Sequence, residues 1–175
     1  MRLVRRGQIV EDSYVRVVDD APVPDHGPVL VPAERLIADA RDLAGREAPT
    51  GVIWPNNRKV AELAPFLDRL ALVALVFPAF RDGRAYSQAR LIREHNGFRG
   101  ELRATGQILR DQFMFLLRAG FDAFEVTKDA DAAAFADVLR RYSVFYQPTG
   151  DGRSTALRAR VRQAPAGAAR TVATT

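Results

Sequence analysis

The run Ala71-Leu72-Val73-Ala74-Leu75-Val76-Phe77 is continuously apolar. A strand of that composition has to be covered on both faces, as parallel strands usually are. Around it, strand-like and helix-like segments alternate at short intervals. Val29-Leu30-Val31 reads as a strand, and Pro32 suits the first turn of a helix running to about Leu43. Gly51 to Trp54 is the next strand. Asn56 or Asn57 is then placed to cap a helix whose apolar positions are Val60, Leu63, Leu67 and Leu70, with Pro65 set to kink or split it. Beyond Phe77 the polar turn Arg81-Asp82-Gly83-Arg84 leads to a helix from about Ala85 to His95, which Asn96-Gly97 stops. Glu101 to Thr105 is a strand, Gln107 to Arg118 a helix closed by Gly120, and Phe121 to Val126 a strand. A last helix, Ala130 to Tyr142, carries Phe135, Val138, Leu139 and Tyr142 on one stripe.

This rhythm predicts an α/β fold with an open or partial-barrel parallel sheet of four or five βα units. A complete eight-unit barrel takes about 250 residues, more than the 175 in this chain. Leu3 to Val18 alternates around Gly7 and predicts a β-hairpin (about 3–18) ahead of the βα units, followed by a loop from Asp19 to Gly27. Residues 1–147 are expected to form one domain, and 148–175 a flexible tail rich in Arg and Ala.

Charge narrows the classes of partner. The formal net charge is +5, but the tail holds five arginines (Arg153, Arg158, Arg160, Arg162, Arg170) against one acid, Asp151. The predicted domain is therefore close to neutral and offers no basic face for nucleic acid. Arg and Ala are abundant enough for coding bias in a GC-rich genome to account for them. No cysteine is present, which excludes disulfides, a thiolate nucleophile, cysteine zinc sites and cysteine-ligated iron–sulfur clusters from this chain. The start, Met1-Arg-Leu-Val-Arg-Arg, lacks an apolar signal core, and Leu70 to Pro78 is far shorter than the roughly 20 residues a membrane helix needs. A cytoplasmic protein without a membrane segment is the expectation.

Neither a dinucleotide-binding glycine pattern nor a phosphate-binding loop signature occurs, and no catalytic triad can be assembled. His26 and His95 are isolated and read as surface or structural residues. Polar residues are dense after two successive strands: Asp82, Arg84, Ser87 and Arg90 after Phe77, then Asp111 and Gln112 after Thr105. The carboxyl ends of strands are where open α/β sheets bind ligands, so these residues together with Arg103 are the candidate substrate-binding set, chemically suited to a small oxyanion. Each has a plain structural alternative. Asp82 could be an N-cap, Asp111 a first-turn acid, and Arg90 the partner of Glu94 four residues on. Arg103 lies inside a strand and must be paired, with Asp82 or Asp111 as the expected acid, or face a ligand; both readings stay open.

Several stretches resemble a bacterial family, domain of unknown function 934. They are Phe77-Pro-Ala-Phe80-Arg-Asp82-Gly83-Arg84-Ala-Tyr86-Ser87-Gln-Ala89-Arg90-Leu91, Gly100-Glu101-Leu102-Arg103-Ala104-Thr-Gly106, Leu109-Arg110-Asp111-Gln112, Gly120-Phe121-Asp122-Ala123-Phe124 and the closing Tyr146-Gln147. The likeness is dense from about Leu70 to Gln147, weaker before, and absent in the tail. It implies a setting in sulfur assimilation, since such proteins are typically encoded beside assimilatory sulfite reductase and carry the label of a putative oxidoreductase of sulfite reduction. On this footing the expected function is an accessory role in sulfate and sulfite reduction, with a small anionic metabolite bound at the carboxyl edge of the sheet. The alternative is a non-catalytic binding partner or assembly factor of sulfite reductase. Neither residues nor resemblance specify a reaction or a cofactor, and a homo-oligomer is compatible with both.

Overall fold

The computed structural model describes residues 1–18, 21–141, 144–149 and 155–163. The α/β expectation holds, but the sheet is a curled, mixed sheet of eight strands rather than a purely parallel one of four or five. Five strands lie where the sequence places them: β4 (Val29–Pro32), β5 (Thr50–Trp54), β6 (Leu72–Phe77), β7 (Glu101–Gly106) and β8 (Ala123–Val126). They run parallel and in sequential order. The N-terminal hairpin, β1 (Arg2–Arg5) and β2 (Gln8–Val10), extends the same sheet by pairing antiparallel with β8. The hairpin stops at Val10 and does not reach Val18. The short β3 (Val15–Arg16) instead joins the opposite edge, parallel to β4.

That strand order forces the curl. β2 and β3 are the two outermost strands of eight, so a flat sheet would hold them about 34 Å apart at ~4.8 Å per strand. The chain from Val10 to Val15 reaches no more than about 17 Å when fully extended. Only a sheet bent into a half-barrel brings its edges close enough for residues 11–14 to connect them.

Among the described residues, the helices that pack on the sheet cover one face. These are α1 (Ala33–Ala38), α2 (Ala40–Ala44), α3 (Val60–Leu63), α4 (Arg84–Arg90), α5 (Phe113–Ala119) and α6 (Asp129–Arg141). Their apolar residues join Val29, Val31, Val52, Trp54, Val73, Leu75, Phe77, Leu102, Ala104, Phe124 and Val126 in one core. The alternate positions Leu30, Leu72 and Ala74 form a separate cluster with Tyr14 and Ile53 that contains no helix residue. The central strand is thus covered on both sides, but by helices on its convex face and by curl on its concave face. Val76, near the carboxyl end of β6, remains partly exposed.

Local sequence sets several boundaries. Pro65 ends α3, and residues 64–69 continue as a 3-10 turn. The capping residue of α3 is Lys59 rather than an asparagine, with the Glu62 carboxylate accepting the Lys59 N–H at 3.3 Å. After α4 the chain widens into a π turn over 91–95, and Gly120 closes α5 in the left-handed region (φ +103°). Within the expected tail, Thr155 bridges Phe145 and α7 (Ala156–Gln163) is helical. Tyr142 and residues 150–154 and 164–175 lie outside the described residues. No helix among the described residues is long and apolar enough to cross a membrane.

Candidate functional site

The loops after β6 and β7 open on the same side and are tied together. Gln107 N–H donates to the Phe77 carbonyl at 2.8 Å, and Gln112 Nε2 donates to the Phe80 carbonyl at 2.7 Å while its Oε1 accepts from Leu109 N–H at 3.0 Å. In the first loop, Asp82 accepts from Arg84 Nε at 3.0 Å and from Arg84 NH2 at 2.6 Å. The Arg84 guanidinium holds the Asp82 carboxyl well below the usual carboxylate range, and Asn56 adds to this although its Nδ2 falls short of a full hydrogen bond. Burial, with the Asp111 charge adding, pushes the Tyr86 hydroxyl up to about 12. Asp82, Arg84, Asp111 and Gln112 therefore do gather at the carboxyl end of β6 and β7.

Beside them the buried Gln88 donates from Nε2 to the Pro55 carbonyl (3.2 Å) and the Arg58 carbonyl (2.8 Å), fastening α4 to the loop after β5. Its Oε1, like Asn56 Nδ2 and Trp54 Nε1, is buried without a hydrogen-bond partner in the protein.

The other three candidates lie elsewhere. Ser87 and Arg90 sit on the exposed side of α4, where Arg90 reaches Glu94 with NH2–Oε2 at 3.2 Å. Arg103 is the larger departure. Its acids are neither Asp82 nor Asp111, but Asp12 (NH1–Oδ2 2.7 Å), Glu101 (Nε–Oε1 2.9 Å) and Glu125 (NH1–Oε1 3.2 Å). The reason is strand alternation. Arg103 stands opposite Ala74 and Ala123 in mid-sheet, on the concave face, whereas both loop aspartates lie beyond the strand ends.

The concave face therefore holds a paired network. Glu101 also takes Arg5, and Glu125 takes Arg16 and the Thr105 hydroxyl (2.6 Å). Tyr14 lies under the guanidinium at 5.7 Å. Arg103 is 0% exposed. Burial alone would lower its pKa, but Asp12 and Glu101 outweigh this and keep it charged. Burial pushes Asp12 up, yet the Arg103 hydrogen bond and charge bring it below the usual range. Arg103 fills the point on which three carboxylates converge. Among the described residues, no group of His, Cys, Asp or Glu forms a metal site. The arrangement can clamp the curled sheet.

Sequence reasoning missed Asp12, Tyr14 and Arg16, which reach this network only because the 11–16 segment crosses between the sheet edges. It could have found Glu101 and Glu125. Glu101, Arg103 and Thr105 alternate along one strand, the signature of a polar sheet face.

A model of the family described as "Bacterial protein of unknown function (DUF934)" matches residues 51–157, more than half of the chain. The chain belongs to this family. The DUF934 match spans β5 to the start of α7, and so takes in both the carboxyl-end loops and the Arg103 strand. No curated protein matches the chain.

Proposed function

We propose that this DUF934 protein is an accessory component of assimilatory sulfite reduction, working in the cytoplasm by docking on sulfite reductase rather than by reducing sulfite itself. The docking surface is the carboxyl end of β6 and β7. One observation carries this reading: Phe80 and Leu109 are 52% and 44% exposed, and the single side chain of Gln112 pins their backbones together. An apolar pair held rigidly at the surface, ringed by charged residues, suits a protein interface. The guanidiniums expected to clamp an oxyanion are already neutralised. Arg84 is committed to Asp82, Arg90 to Glu94, and Arg103 to three acids. The identity of the partner rests on the family resemblance.

The test is a binding titration of the purified chain with purified sulfite reductase of the same bacterium. Association at micromolar concentration is expected, weakened at least about tenfold by combined Phe80→Ser and Leu109→Ser and unchanged by Arg84→Gln. Absence of association at about 100 μM, or sensitivity to Arg84→Gln alone, contradicts the reading.

A second reading has its own support. The unpartnered donor Asn56 Nδ2 beside the Asp82–Arg84 pair favours a small polar ligand at the same end. Saturable sulfite or sulfate binding that Asn56→Leu abolishes supports it; binding that survives Asn56→Leu counts against it.

A further inference from the structure

At the opposite, amino end of the parallel strands lies a cavity of about 330 Å³, at the small end of the range for ligand pockets. It is lined by Leu117, Phe121 and Phe135 together with Arg5, Arg6 and Arg99. We propose that this cavity binds a small organic anion, a phosphate or sulfonate ester with an apolar body, clamped by Arg6 and Arg99. The inference is independent of the docking surface, which lies at the other end of the sheet.

The wall acids are already answered. Glu101 takes Arg5 and Arg103, and Asp122 takes Arg93 and the Leu102 N–H (2.9 Å). Arg6 and Arg99 make no hydrogen bond or ion pair among the described residues, so two of the arginines lining the cavity carry uncompensated charge. Two guanidinium forks are the usual complement of a dianionic oxygen group.

Arg6 is also costly where it stands. The β1–β2 turn is the two residues Arg6 and Gly7, with φ +53° and +81°. Both central positions of such a turn need the left-handed region, which favours Asn, Asp or Gly and penalises other side chains. No contact of Arg6 requires an arginine for the fold. The turn is also fixed in place: a Cβ on Gly7 would come within 2.8 Å of Ala136 Cα in α6. The hairpin is thus docked against a helix with Arg6 lining the cavity, and the strain is explained if the guanidinium serves a ligand.

The test uses the full chain and phenyl phosphate at pH 7.5, where the ester is largely dianionic, with inorganic phosphate as the comparison. Calorimetric titration should show saturable phenyl phosphate binding, on the order of tenfold tighter than inorganic phosphate because the ring buries apolar surface. Arg6→Gly and Arg99→Gln should each weaken it on the order of tenfold or more. Arg6→Gly should also raise the melting temperature of the free protein, since glycine suits the turn; loss of binding then cannot be ascribed to unfolding. The proposal is overturned if phenyl phosphate shows no saturation to about 10 mM, if both variants bind as the parent does, or if inorganic phosphate binds equally well.

Discussion

Replacing Arg103 by Met keeps an unbranched apolar stem but removes the guanidinium, and with it the charge that holds the concave face together. The guanidinium makes four hydrogen bonds to three carboxylates, at 2.7, 2.9, 3.2 and 3.2 Å. Breaking a buried ion pair from one side typically costs about 3–5 kcal/mol. Here each acid keeps another partner: Glu101 retains Arg5, Glu125 retains Arg16 and Thr105, and Asp12 retains the Tyr14 N–H. The expected loss is therefore at the lower end, about 3 kcal/mol. Its pH dependence has a definite sign. In the parent, Asp12 is held below its usual range, so its contribution is present above about pH 4 and is lost as pH falls through the lowered value. In Arg103→Met the main lowering influence is gone and only the Tyr14 N–H and the Arg16 charge oppose burial, so ionised Asp12 stabilises the fold far less than in the parent. The stability gap between parent and variant should be widest near pH 7 and narrow below about pH 4. Urea unfolding followed by circular dichroism at pH 7 and pH 3.5 measures both. A loss under about 1 kcal/mol at pH 7, or a gap that widens in acid, refutes the clamp.

Two further substitutions test the packing. Leu75 faces the helix-covered core with no exposure, so Leu75→Ala should cost about 2–5 kcal/mol in urea unfolding, and a smaller loss would mean that face is loosely packed. Gly106 ends β7 at φ +96°, and a Cβ there would collide with the Phe77 carbonyl. Gly106→Ala should cost about 2–3 kcal/mol, lowering the melting temperature by roughly 5–10 °C, and an unchanged midpoint would show that the β6–β7 junction relaxes freely.

The parallel strands were legible because β4, β5 and β6 are short apolar runs, β7 and β8 sit between clear helix and turn signals, and helices have their own stops, such as Pro65 or Gly120. The loops after β6 and β7 were legible for the same reason, since sequential βα units place their following loops on one side. What could not be read was the closure. Nothing in Glu11 to Tyr14 announces that four residues link opposite sheet edges, so the curl, the one-sided helices and the carboxylates around Arg103 were out of reach. Arg103 was correctly expected to need an acid, but its partner was sought among loop residues nearby in sequence. Asp12 lies 91 residues away, and only the bent sheet brings it there.

Growth of a strain of the source bacterium lacking this gene, on sulfate, sulfite, sulfide or cysteine as sole sulfur source, tests the proposed role most directly. An accessory of sulfite reductase predicts growth on sulfide and cysteine, failure on sulfate and sulfite, and rescue by the wild-type gene and by Arg84→Gln but not by combined Phe80→Ser and Leu109→Ser. Normal growth of the deletion strain on sulfite would contradict it.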